Sequence, residues 1–320
     1  MRIVVTGGSG RLGRSLAGEL ADAGHEIVSI DRAPTDRLDR TGVTQVSLDL
    51  ADADATAAVL AEAKADAVIH LAAIAVPFSA PEDVILRTNA ALAQSVLGGA
   101  VRAGIRRVVA ASSPTVIGYG APRGWTPERL PLDETSATEP WHAYALSKLL
   151  IEQTVDMLRR QTGDRIRFAS FRPCYVIAPE EWAGAPTQQG HTVRERLDDP
   201  ALSAPALFNY VDARDVATFV DTLLAALDDI PNGEVFFVGA DDALARRPLS
   251  ELLPEFHPGT AEAAAGLTGD ASAFSSAKAA RLLGWRPVHR WRSELAPPVV
   301  PTSDHAPRRA GVPEEGAVGR

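Results

Sequence analysis

The sequence predicts an α/β protein built on a doubly wound parallel sheet, with a smaller, loop-rich C-terminal lobe. Short apolar runs at Ile3–Thr6, Glu26–Ile30, Gln45–Leu48, Ala67–Leu71, Arg107–Ser112, Ile166–Phe171 and Glu234–Val238 read as strands. Between them, apolar residues recur three and four apart, as in Leu12, Leu16 and Leu20, in Leu92, Val96 and Ala100, or in Val155 and Leu158. That is helix spacing. Alternation of this kind requires parallel strands joined by crossover helices that cover both sheet faces.

The rhythm breaks after about residue 175. Residues 178–209 are rich in Pro, Gly and polar groups, and helix spacing returns at Val216, Phe219, Val220, Leu223 and Leu227. Three segments are expected: a main domain over 1–175, a lobe over 176–295 sharing elements with the main sheet, and a tail over 296–320. Pro297, Pro298, Pro301, Pro307 and Pro313 leave the tail little to bury, so it is expected to be disordered.

Composition narrows the functions available. The 320 residues are 46% hydrophobic and 23% charged, an ordinary globular balance, with a formal net charge of -9. Such a chain has no electrostatic reason to bind nucleic acid or an anionic membrane. The single cysteine, Cys174, excludes an intrachain disulfide and reads as a small buried filler. The apolar N-terminal run is too short for a signal peptide and no window approaches a transmembrane length, so a soluble cytoplasmic protein without a membrane partner is expected. The seven histidines are scattered without ligand spacing, and no metal is expected.

A dinucleotide site is written at the start of the chain. Thr6-Gly7-Gly8-Ser9-Gly10-Arg11-Leu12-Gly13 lies between the first strand and the first helix. Glycines there let the backbone approach a pyrophosphate, and the helix start offers free N–H groups to it. Asp31 ends the second strand, where a carboxylate accepts the ribose hydroxyls and repels a 2′-phosphate. NAD is therefore favoured, while NADP stays open because Arg32 follows directly.

With these residues in place, the chain resembles the extended short-chain dehydrogenase/reductases, the NAD-dependent epimerase/dehydratase family, with a Rossmann-type fold. The resemblance covers residues 1–178 well and 205–295 loosely. It implies that Asp49 and Leu50 lie beside the adenine, that His70-Leu71-Ala72-Ala73 lines the cofactor, and that Asn89 also contacts it. His70 itself reads as a hydrogen-bonded core residue. In Arg172-Pro173-Cys174-Tyr175-Val176 the resemblance makes Pro173 and Val176 nicotinamide neighbours. A homodimer formed by the helix after Asn89 and the helix bearing Tyr144 is implied as well.

The reacting groups follow. Tyr144 and Lys148 stand four apart, on one helix face, where an ammonium is expected to lower the phenol's pKa. Ser113, counted back from Gly118, falls where the family keeps its catalytic hydroxyl, positioned to stabilise a substrate oxygen. Ser112 reads as structural. Pro114-Thr115 replaces the Asp-Glu pair of the dehydratases, which argues against sugar dehydration. Phe208 stands where nucleotide-sugar epimerases carry a diphosphate-binding Arg, with Arg194 or Arg196 as substitutes. The expected activity is NAD(P)-dependent hydride transfer to or from a secondary alcohol or ketone of a small, sugar-like substrate. A sugar epimerase is the alternative, and a non-catalytic dinucleotide sensor the third reading.

Overall fold

The computed structural model describes residues 1–296. The tail predicted over 296–320 thus falls, apart from Ala296, outside the described residues. The strands are β1 (Arg2–Thr6), β2 (Glu26–Asp31), β3 (Val43–Ser47), β4 (Ala67–His70), β5 (Arg107–Ala111), β6 (Arg167–Pro173), β7 (Val176–Ile177), β8 (Val211–Asp212) and β9 (Glu234–Val238). The seven predicted strands are all present, with ends shifted by up to two residues. They form one parallel sheet in the order β3-β2-β1-β4-β5-β6-β9. The chain runs outward from β1 to β3 and then returns to β4 on the other side of β1. That reversal opens a crevice at the carboxyl ends of β1 and β4.

Both sheet faces are buried, which explains why the strands read as near-continuous apolar runs. Alternate residues serve opposite faces. Ile3 and Val5 pack with α1 (Arg11–Asp22), through Leu16 and Leu20. Val4 and Val68 face the other side, against Leu60 of α2 (Ala53–Ala63), Val96 and Leu97 of α3 (Glu82–Arg102), and Ile151 and Val155 of α4 (Ala143–Thr162). By length and composition α3 is apolar enough to cross a membrane, contrary to the sequence expectation, but half of that stretch is buried within the fold.

The C-terminal segment adds α5 (Pro179–Trp182), α6 (Val193–Asp198), α7 (Ala213–Ala226), α8 (Leu249–Phe256), α9 (Ala261–Ala264), α10 (Ala277–Leu283) and α11 (Trp291–Glu294). Helix α7 packs on α1, and Phe219 and Val220 join the core beneath the sheet. The parallel pair β7–β8 is too short to leave a periodic signal in the sequence. Trp182, Tyr210 and Trp291 form a separate apolar cluster in the lobe, and Trp291 donates its ring N–H to the Ala243 carbonyl at 2.9 Å. Arginines of the main domain fasten α5: Arg14 reaches Glu180 at 3.1 Å, and Arg11 pairs with Glu181.

Candidate active site

A cleft of about 1360 Å³ runs from the carboxyl ends of β1 and β2 across to the lobe. The sequence-predicted residues Gly7, Gly10, Arg11, Leu12, Gly13, Asp31, Arg32, Asp49, Leu50, Leu71, Ala72, Ala73, Ser113, Tyr144, Lys148, Pro173 and Val176 all line it. Asn89 does not, and this corrects the expectation of a cofactor contact. Its side chain is fully buried, accepting from Ile74 N–H at 2.7 Å and donating to Ser147 Oγ at 3.0 Å. Asn89 therefore ties the loop after β4 to the helix that carries Tyr144. The motif had marked the position but not what it touches.

At one end the walls are made by backbone. Gly7 has φ of +73°, and a Cβ there would lie 2.8 Å from Ala72 N. A Cβ on Gly13 would stand 2.2 Å from the Gly7 carbonyl, so α1 packs on the loop only because residue 13 is glycine. No side chain caps α1, and its first turn holds no acid, which leaves the helix start available to an anion. Asp31 accepts from Ser9 N–H at 3.1 Å and from Arg32 N–H at 2.7 Å, and its carboxylate borders the cleft. This cradle fits a dinucleotide: a close backbone approach, free N–H groups for the pyrophosphate, and an acid one strand over for a ribose.

The reacting groups meet deeper in. Ser113 caps the short turn after β5, and its Oγ accepts from Thr115 N–H at 3.3 Å and Thr115 Oγ1 at 2.9 Å. With its lone pairs engaged, the Ser113 hydrogen is free to donate towards the Tyr144 oxygen or a substrate oxygen. Lys148 Nζ donates to the Ala111 carbonyl at 2.9 Å and lies 5.8 Å from the Tyr144 ring centroid. The expectation that Lys148 lowers the phenol's pKa does not hold for this site. Burial pushes Tyr144 up to about 12, offset in part by the Ser113 hydrogen bond, and burial pulls Lys148 down to about 8. Burial sets both shifts because both groups are almost wholly enclosed.

The surrounding residues explain this arrangement. Ser112 donates to Glu152 at 2.5 Å, and Glu152 forms a buried two-point pair with Arg172 at 2.8 Å, so Ser112 is structural as expected. His70 bonds Thr6 Oγ1 at 2.9 Å across the β1–β4 pair; burial and then the Lys148 charge lower its pKa to about 3, keeping it neutral. Burial likewise raises the Cys174 thiol, and it is a filler. Among the described residues no His, Cys, Asp or Glu cluster could hold a metal.

Several cleft residues carried no recognisable sequence signal. His142 caps α4, accepting from Ala145 N–H at 3.2 Å, with its ring parallel to Tyr144 at 6.2 Å. Cap positions usually carry Ser, Thr, Asp or Asn, so the histidine hid the start of α4. Phe78, with φ of +62°, stands at the cleft mouth, its ring 5.7 Å from Trp141. From the lobe, Tyr175, Gln189, Arg196, Asn209, Phe256 and His257 complete the far wall. Phe208 is buried against Phe256, and Arg194 is exposed. Of the two arginines considered as substitutes, only Arg196 reaches the cleft. The cleft-lining acids are Asp31 and Asp49, both at the opposite end.

Several known proteins are similar to this chain. A UDP-glucose 4-epimerase of Azospirillum brasilense is 36% identical over 156 residues, which is 48% of this chain and 43% of that protein. One from Mycolicibacterium smegmatis is 28% identical over 90% of this chain and 94% of its own length. The 2-alkyl-3-oxoalkanoate reductase of Stenotrophomonas maltophilia is 35% identical over 79% of this chain and 74% of its own length. The crystal structure of a UDP-glucose-4-epimerase from the same organism superposes with a TM-score of 0.69 at 23% identity, over 92% of this chain and 96% of that one. The family model described as "NAD dependent epimerase/dehydratase family" matches residues 3–239, and the chain belongs to that family.

Proposed function

We propose that the protein is an NAD-dependent oxidoreductase that interconverts a secondary alcohol and a ketone on a small, sugar-like substrate. The observation that carries this reading is the convergence of Ser113, Tyr144 and Lys148 in one enclosed cleft that also contains the glycine cradle. The loop from Gly7 to Gly13 and the start of α1 would hold the pyrophosphate. Asp31 would take the adenosine ribose and disfavour a 2′-phosphate, and Pro173 and Val176 would border the nicotinamide. Bound there, NAD supplies the carbon that accepts or donates hydride. Tyr144, held as the phenol near neutral pH, delivers its proton to a ketone oxygen on reduction and recovers it from the alcohol on oxidation. Ser113 donates a hydrogen bond to that oxygen as charge builds. Lys148, held by the Ala111 carbonyl, would carry its charge 5.8 Å from the Tyr144 ring centroid. No carboxylic acid lies beside Ser113 to protonate a leaving group, which argues against dehydration. The 2-alkyl-3-oxoalkanoate reductase, similar over most of the chain, supports the reductase reading.

Tyr144→Phe is expected to lower kcat by about 10²–10⁴-fold while leaving NAD affinity nearly unchanged, as read by turnover and by calorimetric titration of NAD. Equal loss of NAD binding would refute the role. An epimerase is the second reading, favoured by two UDP-glucose 4-epimerases that match over 90% of the chain. Denaturing the purified protein and quantifying released dinucleotide separates the two. Near-stoichiometric NAD marks a cofactor regenerated at each turnover, and empty protein that binds NAD reversibly marks the oxidoreductase.

We further propose a homodimer through α3 and α4. Leu146, Leu150 and Met157 stand exposed on α4, at 38%, 37% and 42%, beyond what the sheet and α3 cover. Sedimentation should show a dimer for the wild type and a monomer for Leu150→Glu. A monomeric wild type would exclude the dimer.

A further inference from the structure

The lobe wall contains a buried charge that no described residue balances. Arg196 on α6 lines the cleft and is only 2% exposed. Its Nη1 donates to Gln189 Oε1 at 2.5 Å, and its guanidinium lies 4.3 Å from the Tyr175 ring centroid. Its Nε has no partner, and among the described residues no carboxylate pairs with it. A guanidinium does not shed its proton in a protein, so burial cannot be relieved by neutralisation. A neutral amide and an aromatic face offset only part of the cost of an enclosed cation.

We propose that Arg196 is the anion anchor of the substrate subsite, and that the substrate carries one compact oxyanion, a carboxylate or a phosphate monoester, besides its alcohol or ketone. This rests on the hydride-transfer reading of the same cleft. The dinucleotide's own phosphates have the α1 start and the glycine loop at the other end. Of the other cleft cations, Arg11 pairs with Glu181, Lys148 bonds the Ala111 carbonyl, and Arg32 lies beside Asp31 at the cofactor end. With Phe208 buried in apolar packing and Arg194 outside, Arg196 stands without the second cation that would suit a diphosphate. Its planar fork matches one carboxylate or phosphate group.

The test is calorimetric titration of NAD-saturated protein with glucose, glucuronate, glucose 6-phosphate and UDP-glucose, for the wild type, Arg196→Gln and Arg196→Lys. Glucuronate or glucose 6-phosphate should bind about tenfold or more tightly than glucose, and whichever leads tells carboxylate from phosphate. Arg196→Gln should erase that preference and Arg196→Lys keep part of it, with NAD affinity unchanged in both. Equal affinity for the neutral and anionic sugars, or an anion preference that survives Arg196→Gln, overturns the proposal. Tightest binding by UDP-glucose through Arg196 overturns the compact anion in favour of a diphosphate. A tenfold weaker NAD complex in Arg196→Gln would place the guanidinium in the cofactor cradle instead and overturn the proposal too. Failure of every sugar to bind while NAD still binds defeats the sugar-like substrate itself, and the anchor with it.

Discussion

Among the described residues, two arginines are buried under opposite terms. Beneath the reacting groups, Arg172 is gripped at two points by Glu152, which also accepts from Ser112, so its charge is balanced within the chain although its Nη1 has no partner. In the lobe wall, Arg196 has a glutamine and an aromatic ring but no counter-charge. The first arrangement holds β6 to α4 and keeps the floor of the site rigid. The second is costly until something anionic arrives. Burial of a charge is thus structural in one region and, on our proposal, functional in the other, and the partner distinguishes them.

The contrast can be broken by removing partners. Glu152→Ala strips Arg172 of its counter-charge and should cost about 3–5 kcal/mol in urea denaturation. A loss below 1 kcal/mol would mean that the pair is not holding the floor. Lys148 is a third buried cation, one that can lose its charge. Because folding lowers its pKa from 10.5 to about 8, the native state holds fewer protons than the unfolded chain between those values. Stability from this group therefore rises across that window, and the penalty is fully present below it, up to about 3 kcal/mol. Lys148→Met should accordingly be more stable than wild type at pH 7, and the gap should narrow by pH 10 in parallel denaturation curves. A gap independent of pH would show that the ammonium is not penalised by burial. The smallest effect sharpens the comparison most directly. Arg196→Met in ligand-free protein should raise stability by about 1 kcal/mol, since it removes an unbalanced charge and keeps an apolar stem. A loss of the size expected for Glu152→Ala would make the two arginines equivalent.

What could be read from sequence follows from how local each feature is. The cradle is contiguous, and its glycines are demanded by the 2.2 Å approach at Gly13 and the positive φ at Gly7, so the motif and the geometry are nearly the same statement. Tyr144 and Lys148 share a helix face, and Ser113 follows a strand at a fixed distance from Gly118. The strands were visible because burial on both faces leaves continuous apolar runs. The lobe wall, by contrast, gathers Tyr175, Gln189, Arg196 and His257 from separate segments of weak periodicity, and nothing in their spacing brings them together. The sense of the Tyr144 shift was misread for a related reason. Charge proximity can be inferred from a four-residue spacing, but enclosure depends on the whole fold.

Helix α4 carries Tyr144, Lys148 and Glu152 at four-residue intervals along one side and Leu146, Leu150 and Met157 towards the outside. Inserting or deleting a single residue between Tyr144 and Lys148 would rotate everything beyond it by about 100°. Lys148 would leave Tyr144, Glu152 would leave Arg172, and the outward apolar stripe would turn away together. A length change is therefore expected to be tolerated in a loop such as 183–192, while this stretch of α4 can change its letters but not its count.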